Sequence, residues 1–170
     1  MHHQFVKEID DFVAATKILI GVDDVQTFFP GREGDHEWEA EYPVEVNGEQ
    51  FGQTLRIVTR PFESSIDWSI VLIMPPAVSR LDFTAIPHPN PPRAFGETHA
   101  GSVAGPHIHR WTPNKRFMTS RKSTNGIPIA ELVPQMKDFE THLRWFCKEN
   151  NISLPHDHRI VLADRPRLFK

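Results

Sequence analysis

Cysteine is nearly absent. Cys147 is the only one among 170 residues, so an internal disulfide is excluded and a reducing compartment is expected. Long apolar runs are missing too, and none approaches the ~20 residues that a membrane-spanning helix needs. The opening stretch, MHHQFVKEIDDFV, carries acids where a secretory leader would be basic and then apolar. A cytoplasmic protein without membrane contact is the expectation. Acid is missing from one further region. Residues 98–130 hold no Asp or Glu but five bases: Arg110, Lys115, Arg116, Arg121 and Lys122. Residues 1–50 are the reverse, with 12 acids against 3 bases, and the total of −3 conceals the asymmetry. A basic segment attracts phosphate or carboxylate groups, but it can equally neutralise an acidic neighbour within the fold.

What is present describes an ordinary globular chain. Its length favours one domain, residues 1–170, large enough to bury a core. The 15 prolines cluster in the middle and predict irregular loops there. Residues 4–20 predict a helix, with Phe5, Ile9, Phe12, Val13 and Ile18–Ile20 at three- and four-residue steps and Gly21 as its stop. Residues 23–35 read as a polar loop. In EWEAEYPVEV, Trp38, Ala40, Tyr42, Val44 and Val46 alternate with Glu37, Glu39, Glu41 and Glu45, the period of a half-buried strand. Asn47-Gly48 supplies a two-residue hairpin turn. Counting from it places Trp38 opposite Ile57, Ala40 opposite Leu55 and Glu39 opposite Arg56. Residues 66–74 and 78–85 predict two more strands. Residues 86–106, with five prolines and three glycines, read as irregular. Residues 107–111 predict a short strand, 112–128 an exposed basic loop, and 159–163 a final strand. Residues 129–149 predict a second helix, regular from Pro134, with Val133, Met136, Phe139, Leu143 and Phe146 on one stripe. His142 within it is expected to be structural or exposed. The fold class is therefore α+β: an N-terminal helix, an antiparallel meander of about four or five strands, and a C-terminal helix packed on one sheet face.

Chemistry concentrates in residues 80–111, RLDFTAIPHPNPPRAFGETHAGSVAGPHIHRW. Four histidines lie there: His88, His99, His107 and His109. Residues two apart on a strand share a face, so His107 and His109 present two imidazoles together, with Trp111 beyond them, while Ile108 and Arg110 point the other way. Two adjacent imidazoles suit two tasks. They hold a divalent metal when further ligands arrive, with His88, His99 and Asp82 nearest in sequence. They also act as acid and base near neutral pH. Phosphodiester cleavage uses such a pair beside a cation, for which Arg80, Arg110 or Lys115 qualify, and Trp111 could stack on a base. Against these readings, Arg80 and Asp82 suit a plain ion pair. A second H-x-H at His156 and His158 shows that the pattern arises twice.

Gly101-x5-His107-x-His109 is similar to the opening of the first cupin motif, in which two histidines bind metal in a β-barrel. It departs from that motif because residues 110–130 lack the following Glu ligand. The positions Arg80, Leu81, Asp82, His88, Asn90, Pro91, Gly105, His107 and His109 also resemble a pattern shared by a group of bacterial and phage proteins: R-L-D, then H-x-N-P, then a Gly followed by H-x-H. The likeness covers about a fifth of the chain and departs at Pro92-Arg93, where the group has Asp-Gly. That group has no established activity, so the resemblance implies one constellation of residues without a reaction.

Three functions follow as expectations. The first is a site for phosphate groups on nucleic acid or a phosphorylated small molecule, using His88, His107 and His109 with Arg80 and Arg110, for cleavage or for binding alone. The second is a divalent metal held by His107 and His109. The third is a non-enzymatic partner in a two-gene module. Neither oligomeric state nor metal identity is legible.

Overall fold

A computed structural model describes residues 2–22, 29–31, 34–61, 66–91, 101–117, 126–154 and 160. Helix α1 (His2–Ala14) leads into strand β1 (Lys17–Leu19). Strands β2 (Phe29–Gly31), β3 (Gly34–Val46), β4 (Thr54–Pro61), β5 (Ile66–Ile73) and β6 (Ala77–Phe83) follow. Next come β7 (His88–Pro89), β8 (Ser102–Val103), β9 (His107–His109) and one helical turn, α2 (Trp111–Asn114). A 3-10 turn at Lys115–Phe117 and strand β10 (Glu131–Leu132) precede helix α3 (Phe139–Glu149) and strand β11 (Ile152–Ser153). Nine strands form one sheet, in the order β10-β9-β6-β5-β4-β3-β1-β11 with β2 beside β3. Strands β7 and β8 form a separate pair.

The class is α+β, as composition and periodicity predict, but the sheet has more strands than a four- or five-stranded meander and is mixed. Its parallel pair is β1 with β11. No helix among the described residues is long and apolar enough to cross a membrane. One sheet face carries Ala40, Tyr42, Leu55, Ile57, Ile70, Leu72, Leu81 and Ile108, all buried. Phe5, Ile9 and Phe12 of α1, and Leu143, Phe146 and Cys147 of α3, join the same core. The opposite face carries Arg56, Val58, Arg60, Asp67, Ser69, Val71, Arg80, Asp82 and His107, and a cleft opens over it.

Several expectations need correction. The first helix ends at Ala14, and residues 17–19, read as its last turn, form β1 between β3 and β11. The physical reason is Lys17. Its side chain is fully buried, and its Nζ donates to the carbonyls of Val13 (3.1 Å), Ala15 (2.7 Å) and Asn150 (2.9 Å). These carbonyls lie at the C-terminal ends of α1 and α3, where helices leave acceptors unmet and favour a cation. The Phe12 ring lies 4.9 Å from the same ammonium. Burial lowers the Lys17 pKa to about 8, so it stays charged at pH 7.

The hairpin turn is as expected. Asn47 and Gly48 both have positive φ (54° and 81°), and Val46 and Glu49 exchange hydrogen bonds of 3.0 Å. The register beyond it differs by two. Trp38 pairs with Thr59, Ala40 with Ile57 and Glu41 with Arg56. The chain bulges at Phe51–Gln53: Gly52 takes a φ of 80°, the Gln53 side chain accepts from the Phe51 amide (2.8 Å), and the Val44 amide reaches the Gln53 carbonyl (2.9 Å). A shift of one would have reversed the faces, whereas a shift of two preserves them.

The second helix starts at Phe139 rather than in 129–134. Asp138 caps it, its carboxylate accepting from the Thr141 amide at 2.9 Å. Residues 112–128 are not simply an exposed loop, since Asn114 and Ile127 are buried. His142 is buried, 4.8 Å from Trp68 and 5.4 Å from Phe83 between ring centroids. Of the strand predicted at 159–163 only Ile160 is described, and of the predicted 23–35 loop residues 29–31 form β2 and residues 34–35 begin β3, the others lying outside the described residues.

Candidate metal centre

The site is built from two period-two patterns laid side by side. Strand β6 reads Arg-Leu-Asp at residues 80–82 and β9 reads His-Ile-His at 107–109, and the strands are antiparallel neighbours. Arg80 stands opposite His109, Leu81 opposite Ile108 and Asp82 opposite His107. Leu81 and Ile108 enter the core, so the four polar side chains share the open face. His88 arrives from β7. Ring centroids are 5.4 Å apart for His88–His107, 4.7 Å for His88–His109 and 5.3 Å for His107–His109.

Each ring is oriented by a backbone carbonyl. His107 Nδ1 lies 2.7 Å from the Gly105 oxygen, His109 Nδ1 2.6 Å from that of Ile127, and His88 Nε2 2.8 Å from that of Pro128. A carbonyl only accepts, so each of these nitrogens carries its proton and donates. A neutral ring then keeps a lone pair on its other nitrogen: Nε2 of His107, Nε2 of His109 and Nδ1 of His88. One nitrogen from each ring lies within 4.8 Å of the others. Some point is therefore within about 2.8 Å of all three, against ~2.0–2.1 Å for a zinc–imidazole bond. Side-chain movement of under an ångström closes the difference.

The two carbonyls that orient His88 and His109 lie on one buried segment, and two asparagines hold it. Asn114 donates to the Ile129 carbonyl (2.9 Å) and accepts from the Ile129 amide (2.7 Å). Asn90 does the same for Ala130, at 2.9 and 2.8 Å. Asn114 also donates to the Arg110 carbonyl at 2.8 Å. Each primary amide thus mimics a strand neighbour for a segment that has none among the described residues.

Asp82 binds the site together. Its Oδ1 accepts from the Ser69 hydroxyl (2.6 Å) and its Oδ2 from Arg80 Nε (2.7 Å). Oδ2 is also 3.4 Å from Nε2 of both His107 and His109. Burial alone would raise its pKa, but His107, His109, Arg80 and Ser69 together hold the carboxyl far below the usual range. Arg80 Nη2 donates to His109 Nε2 at 2.8 Å. The two strand histidines diverge as a result. For His107, the Asp82 carboxylate and the Gly105 carbonyl outweigh burial and raise the pKa. For His109, burial and the Arg80 charge lower it.

Other residues singled out in the sequence lie elsewhere. Arg110 is on the opposite side of β9, paired with Glu131 and, at 2.9 Å, with Glu149. Lys115 faces Asp10 at 3.4 Å. Trp111 is buried, and its indole N–H donates to Asp10 at 2.6 Å, so its ring does not front the cleft. His99, His156, His158, Arg121 and Lys122 fall outside the described residues. Asp82, Ser69, Asn114, Ile127 and Pro128 carry parts of the site that the imidazole pattern alone does not show. For Asp82 the signal was its two-residue spacing from Arg80; a backbone carbonyl leaves no signal at all.

The cleft above the cluster has a volume of about 470 Å³. His88, His107, Arg80 and Asp82 border it at one end, and Val58 and Val71 form an apolar floor. No protein-family model, curated protein or solved structure matches the chain.

Proposed function

We propose that this protein binds a divalent transition-metal ion through His88, His107 and His109, with Asp82 beside it. One observation carries the reading: three imidazoles converge, with one nitrogen of each within 4.8 Å of the others and one N–H of each fixed on a backbone carbonyl. Such outer hydrogen bonds set the tautomer and ring orientation of metal-bound histidines. Nitrogen-rich donors suit zinc and its first-row neighbours rather than magnesium or calcium. Three protein ligands also leave a coordination position open, and an ion so held supplies Lewis acidity and an acidified water. Arg80 donates to a nitrogen the ion would need, so binding moves that guanidinium aside. The test is metal content after reconstitution with zinc. One equivalent per chain, lost in His107→Ala and His109→Ala, supports the proposal; no retained metal in the wild type sinks it.

A second reading rests on the divergent pair. With no ion present, His107 is the more basic ring and His109 the less basic one, which sets a better acid–base pair side by side with Arg80 as the adjoining cation. Environments that push two pKa values apart assign such roles. This arrangement suits proton transfer at a phosphate group. Cleavage of an RNA panel in excess chelator, abolished by His107→Ala, would favour it over the metal reading.

A further inference from the structure

We propose that Arg56 forms an anion subsite in the same cleft, which selects a small organic oxyanion, a carboxylate or phosphate ester with an apolar body. The inference deepens the metal reading by naming the ligand class. Its main support, however, is independent of the histidines.

Three guanidiniums border the cleft: Arg56, Arg60 and Arg80. Two are well matched. Arg60 meets Glu37 at 2.6 Å, and Arg80 meets Asp82 at 2.7 Å and His109 at 2.8 Å. Arg56 is different. Among the described residues its Nη1 has only Glu39, at a long 3.5 Å, and its Nε is buried with no hydrogen-bond partner. A buried, unmatched guanidinium N–H is costly. The Arg56 side chain keeps 29% exposure at the cleft, and an oxyanion arriving there would meet the Nε edge of the fork with two parallel hydrogen bonds once the side chain turns that edge outward.

The register places this donor with respect to the histidines. Arg56 is opposite Val71, Val71 opposite Arg80, and Arg80 opposite His109. Four neighbouring strands thus carry one row, with Arg56 at one end and the histidine cluster at the other. At ~4.8 Å per strand the two backbone positions are roughly 14 Å apart, and the long Arg56 side chain shortens that span. Between them lie Val71 and, one row over, Val58, both buried and both lining the cleft. A ligand fixed at its anionic end by Arg56 would lay an apolar body over these two valines and reach the metal end with its other terminus. Asp67, which accepts from Thr84 at 2.8 Å, faces the cleft in the next row and disfavours a second negative group there. The cleft volume of about 470 Å³ suits a small molecule. Among the described residues of the cleft there is one unmatched arginine, which suits one oxyanion better than a polynucleotide, whose affinity rests on many phosphate contacts.

The experiment is calorimetric titration with phenyl phosphate and, separately, benzoate. Each titration uses the full chain loaded with zinc and again after chelator treatment. Expected is one-site binding of at least one probe, weakened at least tenfold by Arg56→Ala in both states. Arg56→Lys, which keeps charge but lacks Nε, should also weaken it. Glu39→Gln, which removes the competing carboxylate, should tighten it; these two variants decide the matter if Arg56→Ala does not fold. Binding of either probe indifferent to Arg56 overturns the proposal, as does binding of neither. An Arg56-dependent oligonucleotide complex without small-probe binding overturns it in favour of nucleic acid. Arg56-dependent binding by a chain that never retains zinc would leave this inference standing and remove the metal reading. Zinc binding with Arg56-indifferent probes would do the reverse.

Discussion

Asn114→Ala is the most informative perturbation of the scaffold around the site. The Asn114 side chain is fully buried and makes three hydrogen bonds, to Ile129 N–H, Ile129 C=O and Arg110 C=O. Alanine removes all three and leaves the N–H and C=O of buried Ile129 unmatched, while the Arg110 carbonyl, at the N-cap of α2, keeps its helical bond. Each such orphan costs ~1–3 kcal/mol, and partial relaxation or an entering water recovers some of that. A net loss of roughly 2–4 kcal/mol is expected, which lowers the melting temperature by roughly 4–16 °C for a chain of this size. Asn90→Ala breaks only the reciprocal pair with Ala130, at a part-buried position. It should cost about half as much. Both variants loosen the segment whose carbonyls fix His88 and His109, so zinc affinity should fall ~10–100-fold. Thermal and urea unfolding with chelator present separates stability from metal linkage. Should Asn114→Ala melt within 2 °C of the wild type (about 1 kcal/mol or less), the clamp has no structural weight and the reasoning fails.

Further outcomes follow from other buried groups. Lys17→Met keeps the volume but strips the donor from three carbonyls at two helix ends; a loss of about 3 kcal/mol or more is expected in urea unfolding, and an unchanged midpoint would deny its capping role. His142 has a pKa lowered by burial, with its Nε2 lacking a partner. A depressed folded pKa means stability present above ~6.5, the unfolded value, and lost as pH falls below it. Melting of His142→Phe should therefore match or exceed the wild type at pH 7 and gain on it at pH 5, and the opposite trend would contradict that sign. Arg80→Ala frees the His109 lone pair and the Asp82 carboxylate, and removes a charge that repels a cation. Zinc affinity by competition with a chromophoric chelator should rise about threefold or more; a fall would make Arg80 part of the binding architecture instead.

Much of this molecule was legible where one residue's environment repeats along the chain. The Trp38–Val46 alternation marks β3, and the R-x-D and H-x-H spacings each put two polar side chains on one face. That these two patterns are cross-strand partners was not legible, because 24 residues lie between them and pairing leaves no local signature. The hairpin register slipped by two for a related reason: Gly52 and Gln53 form a bulge, and turn counting assumes none. Apolar spacing misled at both helices. Val133 and Met136 fit a helical stripe, yet the Asp138–Thr141 cap marks the real start. Residues 18–20 fit too, yet β-branched Thr16 and Ile18 favour extension, and Lys17 is drawn inward by carbonyls. Arg110 and Trp111 follow a strand that ends at His109, so they leave the face to which the pattern assigned Trp111. The carbonyls of Ile127 and Pro128 orient two rings with no side-chain chemistry of their own, and no motif could announce them.

The decisive measurement is zinc stoichiometry and affinity by titration of the chelator-stripped chain, in wild type and in the single alanine variants at positions 88, 107 and 109. The expected result is one ion per wild-type chain and a loss of at least a hundredfold in affinity at each of the three positions, with the fold retained. A wild-type chain that takes up no zinc, cobalt or nickel, or one whose ion is indifferent to all three substitutions, would contradict a metal centre built on these imidazoles.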